Sequence, residues 1–111
     1  MKQAPQLPPG LVPYRRTPVF DENTIPAGLL REHRTRPGTW GVITVLGGRL
    51  RFRLLDPPSE AVLSAGDQRI VAPEQPHEVA PDGPVKFYVQ FCRALTPVPA
   101  PPHHNNDGEE P

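Results

Sequence analysis

The run Trp40-Gly41-Val42-Ile43-Thr44-Val45-Leu46-Gly47-Gly48-Arg49-Leu50-Arg51-Phe52-Arg53-Leu54 decides the fold class. Its opening part, up to Leu46, is rich in β-branched and aromatic residues, which suit a pleated, half-buried surface. Its closing part alternates strictly. Arg49, Arg51 and Arg53 fall on one face and Leu50, Phe52 and Leu54 on the other, the period-2 pattern of a strand with one wet face. Gly47-Gly48 reads as the two-residue link of a primed hairpin turn, where positive φ is required. Asp56-Pro57-Pro58-Ser59 ends the second strand with turn residues.

The same grammar extends outward. Short β-type runs at residues 61–63 and 69–71 flank Gly66-Asp67, and His77-Glu78-Val79 follows the loop Pro73-Glu74-Gln75-Pro76. A last strand is predicted over residues 85–91, with Val85, Phe87, Val89 and Phe91 on one face. On the N-terminal side, Asp21-Glu22-Asn23 has turn composition. Seven or so short strands with no helical period predict an all-β sandwich or barrel.

The chain has 111 residues, room for one domain, and 36% of them are hydrophobic. Its 18 prolines argue against long helices and gather at the ends, five in residues 1–18 and five in residues 96–111. The organisation read from this is an extended proline-rich arm at 1–18, a β-barrel domain at 19–95, and a disordered Pro/His-rich tail at 96–111. Leu11, Val12, Tyr14, Val19 and Phe20 are the residues that would pin the arm to the barrel.

Twelve basic and twelve acidic residues cancel, so the basic face that nucleic acid requires is not expected. A small molecule or a metal suits a neutral domain better. The one cysteine, Cys92, has no internal disulfide partner. No apolar run approaches the ~20 residues that span a bilayer, and the N-terminus lacks a signal-peptide core. The expected compartment is the cytoplasm, with no membrane partner.

Of the four histidines, His103 and His104 fall in the tail and His33 and His77 in the folded region. On a strand, His77 shares its face with Val79, and His33 shares its face with Leu29, Arg31 and Thr35. Both imidazoles can then point inward as metal ligands. Glu32 and Glu78 each adjoin a histidine and fall on the opposite face, and Gln90 falls opposite Val89 and Phe91. The Arg49/Arg51/Arg53 ladder reads as a solvated face. Trp40 is a candidate for the pocket mouth, and Arg31 for holding an anionic group.

Several short motifs occur in a recognisable order. Pro26-Ala27-Gly28-Leu29-Leu30-Arg31-Glu32-His33, Trp40-Gly41 and Val45-Leu46-Gly47-Gly48-Arg49-Leu50 resemble the first cupin motif. Gly66, then Val71-Ala72-Pro73-Glu74-Gln75-Pro76-His77, resembles the second. With Tyr14-Arg15-Arg16-Thr17-Pro18-Val19-Phe20, Arg36-Pro37-Gly38 and Phe87-Tyr88-Val89-Gln90-Phe91, the chain is similar over residues 11–93 to the small cupins related to the leading domain of tellurite-resistance protein B, and to the YeaR-type proteins. The resemblance implies a single-domain double-stranded β-helix, or jelly-roll barrel, behind the extended arm.

It also implies that His33 and His77 take the places of the leading histidines of the two motifs. Thr35 stands where the partner histidine would be, and Trp40-Gly41 where a metal-binding glutamate would be. The implied site is therefore a metal pair, His33 and His77, with Arg31, Thr35 and Trp40 as pocket residues. Zinc suits two imidazoles completed by water or oxygen, with iron, nickel or manganese as alternatives. The implied function is binding of a metal or small ligand in the barrel pocket, in a tellurite, oxyanion or related stress response. The alternatives are a metal-dependent oxygenase or isomerase, with no catalytic residue assigned, and a homodimeric interaction module with a vestigial pocket.

Overall fold

Gly48 sets the architecture. The computed structural model describes residues 7–94. In it the predicted hairpin at Gly47-Gly48 is absent, and one continuous strand, β3 (Trp40–Leu55), runs through both glycines. Its partner is β6 (His77–Ala94), which likewise joins two runs expected to be separate strands. The two pair antiparallel from Trp40↔Cys92 to Leu54↔His77, with register shifts between Val45 and Gly47 and between Gly48 and Leu50. Gly48 has φ +72°, and a Cβ there would meet the Pro84 carbonyl oxygen at 1.9 Å. The positive-φ glycine signalled by the sequence is real, but it makes a bulge in a bent ribbon. A bulge adds twist and bend without ending the strand.

The bulged region divides the β3/β6 ribbon into two halves. One half carries β4 (Pro58–Ser64) on β3, in register from Arg49↔Ser64 to Leu55↔Pro58. The other carries β5 (Gln68–Val71) on β3, β1 (Leu11–Arg16) on β6 opposite residues 90–94, and the short β2 (Phe20–Asp21) opposite Phe87 and Lys86. The hydrogen-bonded path β1-β6-β3-β4 is open among the described residues, so the enclosure comes from bending and not from a closed ring of strands. Part of the expected arm is thus an edge strand of the sheet. The tail at 96–111, with His103 and His104, lies outside the described residues.

The inner faces of both halves share one core. Ile43, Val45, Val71, Val85, Phe87 and Phe91 from one half pack with Leu50, Phe52, Leu63 and Val79 from the other. Phe87 and Leu50 are fully buried, each worth about 1.5–3 kcal/mol of transfer free energy. The alternation read in the sequence holds here: Leu50 and Phe52 are buried while Arg49, Arg51 and Arg53 are exposed and pair with Asp82, Glu60 and Glu78. Among the described residues no helix is long and apolar enough to cross a membrane.

Candidate functional site

The segment before β3 is where local sequence and site diverge. Pro26 precedes a single 3-10 turn, Ala27–Leu30, and the chain leaves it extended at Arg31. No strand covers residues 29–35, contrary to the expected strand, so parity does not carry from Leu29 through Arg31. Only His33 joins the sheet, as an isolated bridge to His77. The His33 N–H donates to the His77 carbonyl at 2.8 Å and the His77 N–H to the His33 carbonyl at 3.0 Å. Residues paired this way project their side chains to the same side.

The two rings meet edge to face, their centres 5.2 Å apart and their planes at 88°. The His77 ring also stacks on Phe52, at 5.9 Å and 26°. Its Nδ1 lies 2.9 Å from the Gln75 carbonyl oxygen. A carbonyl can only accept, so the proton is on Nδ1 and the neutral ring keeps its lone pair on Nε2. Burial pushes the His77 pKa below the usual imidazole value, partly opposed by that hydrogen bond to Gln75. Burial, then the neighbouring His77, lowers His33 as well. Both shifts favour the neutral imidazole.

The two rings open onto a cavity of about 290 Å³ whose wall is mostly apolar, with Phe20, Leu29, Ile43, Phe87 and Phe91 among its residues. Thr35 also lines it, but its hydroxyl is committed: Oγ1 donates to the Thr39 carbonyl at 2.8 Å and accepts from the Glu74 N–H at 3.2 Å. Of the five residues expected at the site, then, His33, His77 and Thr35 come together. Arg31 is exposed and outside the wall, because the 3-10 turn interrupts the strand that would have aimed it inward. Trp40 pairs with Cys92 on the strand face opposite that of Gly41 and Ile43, which do line the cavity.

The oxygen-bearing side chains that fall on the opposite strand faces are engaged elsewhere. Glu32 pairs with Arg34, Glu78 with Arg53, and Gln90 donates to the Arg15 carbonyl. Among the described residues no third His, Cys, Asp or Glu joins the two histidines. Two imidazoles on one tetrahedral zinc, with Zn–N near 2.0–2.1 Å, place their ring centres about 5 Å apart. The observed spacing and the free Nε2 of His77 are compatible with a shared metal held by two protein donors.

Sequence reasoning missed Thr17 and Phe20, which line the cavity from the N-terminal segment. It also missed Arg69, which on β5 shares the inward face of Val71. The alternation Arg69, Val71 was the available signal.

Comparison with known proteins gives a consistent picture. The model of the TehB-like domain matches residues 15–89. The probable S-adenosyl-L-methionine-dependent methyltransferase TehB of Haemophilus influenzae is 40% identical over 42 residues, 38% of this chain and 15% of TehB. The crystal structure of H. influenzae TehB superposes with a TM-score of 0.71 at 26% identity, covering 78% of this chain and 32% of that one. This chain thus corresponds to a minor part of TehB's length. YeaR of Escherichia coli K12, an uncharacterised protein, is 26% identical over 83 residues, 67% of this chain and 70% of YeaR. A solved E. coli K12 structure matches with a TM-score of 0.73 at 25% identity, covering 82% of this chain and 98% of that one. Hydroxypropylphosphonic acid epoxidase of S. wedmorenis, with a TM-score of 0.52 at 24% identity over 74% of this chain and 43% of its own, shares the cupin-like fold. An iron(II) HppE structure with substrate also superposes at 0.52, with 25% identity, 74% of this chain and 45% of its own.

Proposed function

The chain belongs to the family of TehB-like domains, and on that footing we propose that it is a small-molecule-binding domain whose cavity holds a divalent metal at His33 and His77. The observation that carries this reading is the His77 ring. Its Nδ1–H is anchored on Gln75, its Nε2 is free, and it meets His33 edge to face in the wall of a mostly apolar cavity. A backbone acceptor on the far nitrogen is the usual arrangement behind a ligating histidine, because it fixes the tautomer and the ring orientation.

His33 and His77 would hold the metal, with zinc suited to a pair of imidazoles. The likeness to an iron(II) HppE structure supports a divalent ion in general. When bound, the metal supplies a Lewis-acid position for one donor atom of the ligand. Phe52 and Gln75 keep the His77 ring in place, and the apolar wall excludes water and selects the ligand by shape. Two protein donors and an apolar wall suit holding a ligand. The resemblance to the leading domain of tellurite-resistance protein B supports a role for this binding in a tellurite or related oxyanion stress response.

The test is elemental analysis of the full chain carrying His103→Asn and His104→Asn, beside the same protein with His33→Gln or His77→Gln. The expected result is near-stoichiometric divalent metal, lost in both further variants. Folded protein that is metal-free and indifferent to added zinc would overturn the metal. Cells lacking the chain are expected to be more sensitive to tellurite, and unchanged sensitivity would remove that role.

A further inference from the structure

Arg69 is a cation on an inward strand position with nothing to neutralise it. It pairs with Ile43 in the β3/β5 register, and Val71, two residues on, is buried in the core, so Arg69 leans to the cavity side of its sheet. Its guanidinium carbon lies 5.0 Å from the centre of the Phe52 ring. Its Nε is buried with no hydrogen-bond partner, and no carboxylate pairs with it among the described residues. The other arginines of the β3/β4 face behave differently: Arg49, Arg51 and Arg53 are exposed and each has a carboxylate within 4 Å.

A charge drawn in from water is disfavoured unless it is paired. An aromatic face offsets this by about 0.5–2 kcal/mol, which does not replace an anion. Arg69 also has a definite relation to the histidines. It is not in the cavity wall, yet its strand neighbours Ile43 and Val71 are. Across the core, Phe52 touches both Arg69 and His77, through contacts of 5.0 and 5.9 Å.

We propose that Arg69 is the anion anchor of the site, and that the ligand is a small organic acid whose apolar body lies in the cavity and whose carboxylate meets the guanidinium. This rests on the reading of the cavity as a binding site and names the class of its ligand. A guanidinium fork matches a carboxylate bidentately, which a lysine does not reproduce.

The experiment uses the full chain, with ¹⁵N spectra of the arginine Nε–H groups and ¹³C spectra of the Ile43 and Val71 methyls. The probes are benzoate, the neutral benzyl alcohol and inorganic phosphate. Benzoate is expected to shift the Arg69 Nε–H and both methyl groups saturably, binding at least about tenfold more tightly than benzyl alcohol. In Arg69→Gln the benzoate affinity should fall by at least about tenfold with that of benzyl alcohol unchanged, and Arg69→Lys should fall in between. Equal affinity for benzoate and benzyl alcohol, unaltered in Arg69→Gln, overturns the anchor while leaving the cavity as a binding site. A shift of Arg69 by phosphate alone, with silent methyls, overturns the organic acid in favour of an inorganic oxyanion. Silence to all three probes overturns the anchor and counts against the cavity as a binding site too.

Discussion

Replacing Gly48 by alanine tests whether the bend in the β3/β6 ribbon is what builds this molecule. The residue combines φ +72° with a backbone so placed that an added Cβ would lie 1.9 Å from the Pro84 carbonyl oxygen, against an ordinary contact of 3.4–4 Å. The left-handed conformation alone disfavours a non-glycine residue by about 1–2 kcal/mol. The obstacle is backbone, not the end of a flexible side chain, so β6 must shift by over an ångström or the bulge must unwind. Forcing atoms into packed space adds about 1–3 kcal/mol. The total, ~2–5 kcal/mol, is a large share of the ~5–15 kcal/mol that holds a domain together. Two controls separate the terms. Gly66 has φ +93° with open space around its Cβ position, so Gly66→Ala should lose only the conformational ~1–2 kcal/mol. Gly47 has neither positive φ nor a close neighbour, and Gly47→Ala should stay within about 0.5 kcal/mol. Urea unfolding followed by tryptophan fluorescence reads all three, since Trp40 lies on β3. A Gly48→Ala midpoint no lower than that of Gly66→Ala would refute the argument that the Pro84 approach fixes the bend.

Further outcomes follow from the site. Because burial lowers both the His33 and His77 pKa values, the unfolded chain takes up protons first as pH falls. Their contribution to stability is therefore complete above the unfolded value near 6.5 and is lost as pH drops from there towards the lower folded values. Urea midpoints measured with chelator at pH 7.5 and 5.5 should show the fall, and His77→Gln should flatten it. Thr35→Val keeps the shape but strands the Thr39 carbonyl and the Glu74 N–H, so about 1–3 kcal/mol should be lost in the same assay. The Arg53–Glu78 pair, 3.0 Å apart on the wet face, should show a double-mutant coupling of only about 0.2–1 kcal/mol, shrinking in high salt.

What the sequence disclosed depended on how local each determinant is. The Arg49, Arg51, Arg53 alternation was legible because one wet face imposes a period of two on nearest neighbours, whatever lies across the sheet. Gly47-Gly48 was legible as a positive-φ site but not as a bulge. A hairpin and a bulge ask the same of a glycine, and the choice rests on Pro84 and Val85, which meet Gly48 only after β6 has paired. His33 and His77 were legible as candidates from their motifs. That they are direct bridge partners across 44 residues was not, because no local pattern encodes a cross-sheet register. Arg31 and Arg69 show the complementary error. A strand through Arg31 would aim it inward, but a proline-led 3-10 turn intervenes, while the plain alternation of Arg69 with Val71 puts a charge where apolar patterning expects none.

That last mismatch ties fold to function. Along the Arg49–Phe52 stretch local preference and global packing agree: Leu50 and Phe52 face in, and Arg49 and Arg51 face out. They disagree where Arg69 leans inward without a carboxylate, where His77 is buried with its Nε2 unused, and where His33 bridges to it from a loop. A sequence held to stability alone gains more by filling such positions with apolar groups of similar volume. The three exceptions lie on three separate segments, yet they adjoin one another through Phe52 and the His33–His77 bridge. Independent packing defects have no reason to cluster this way. A common cause outside the chain does: a ligand with an acidic group at one end and a donor for imidazole or metal at the other would compensate all three together.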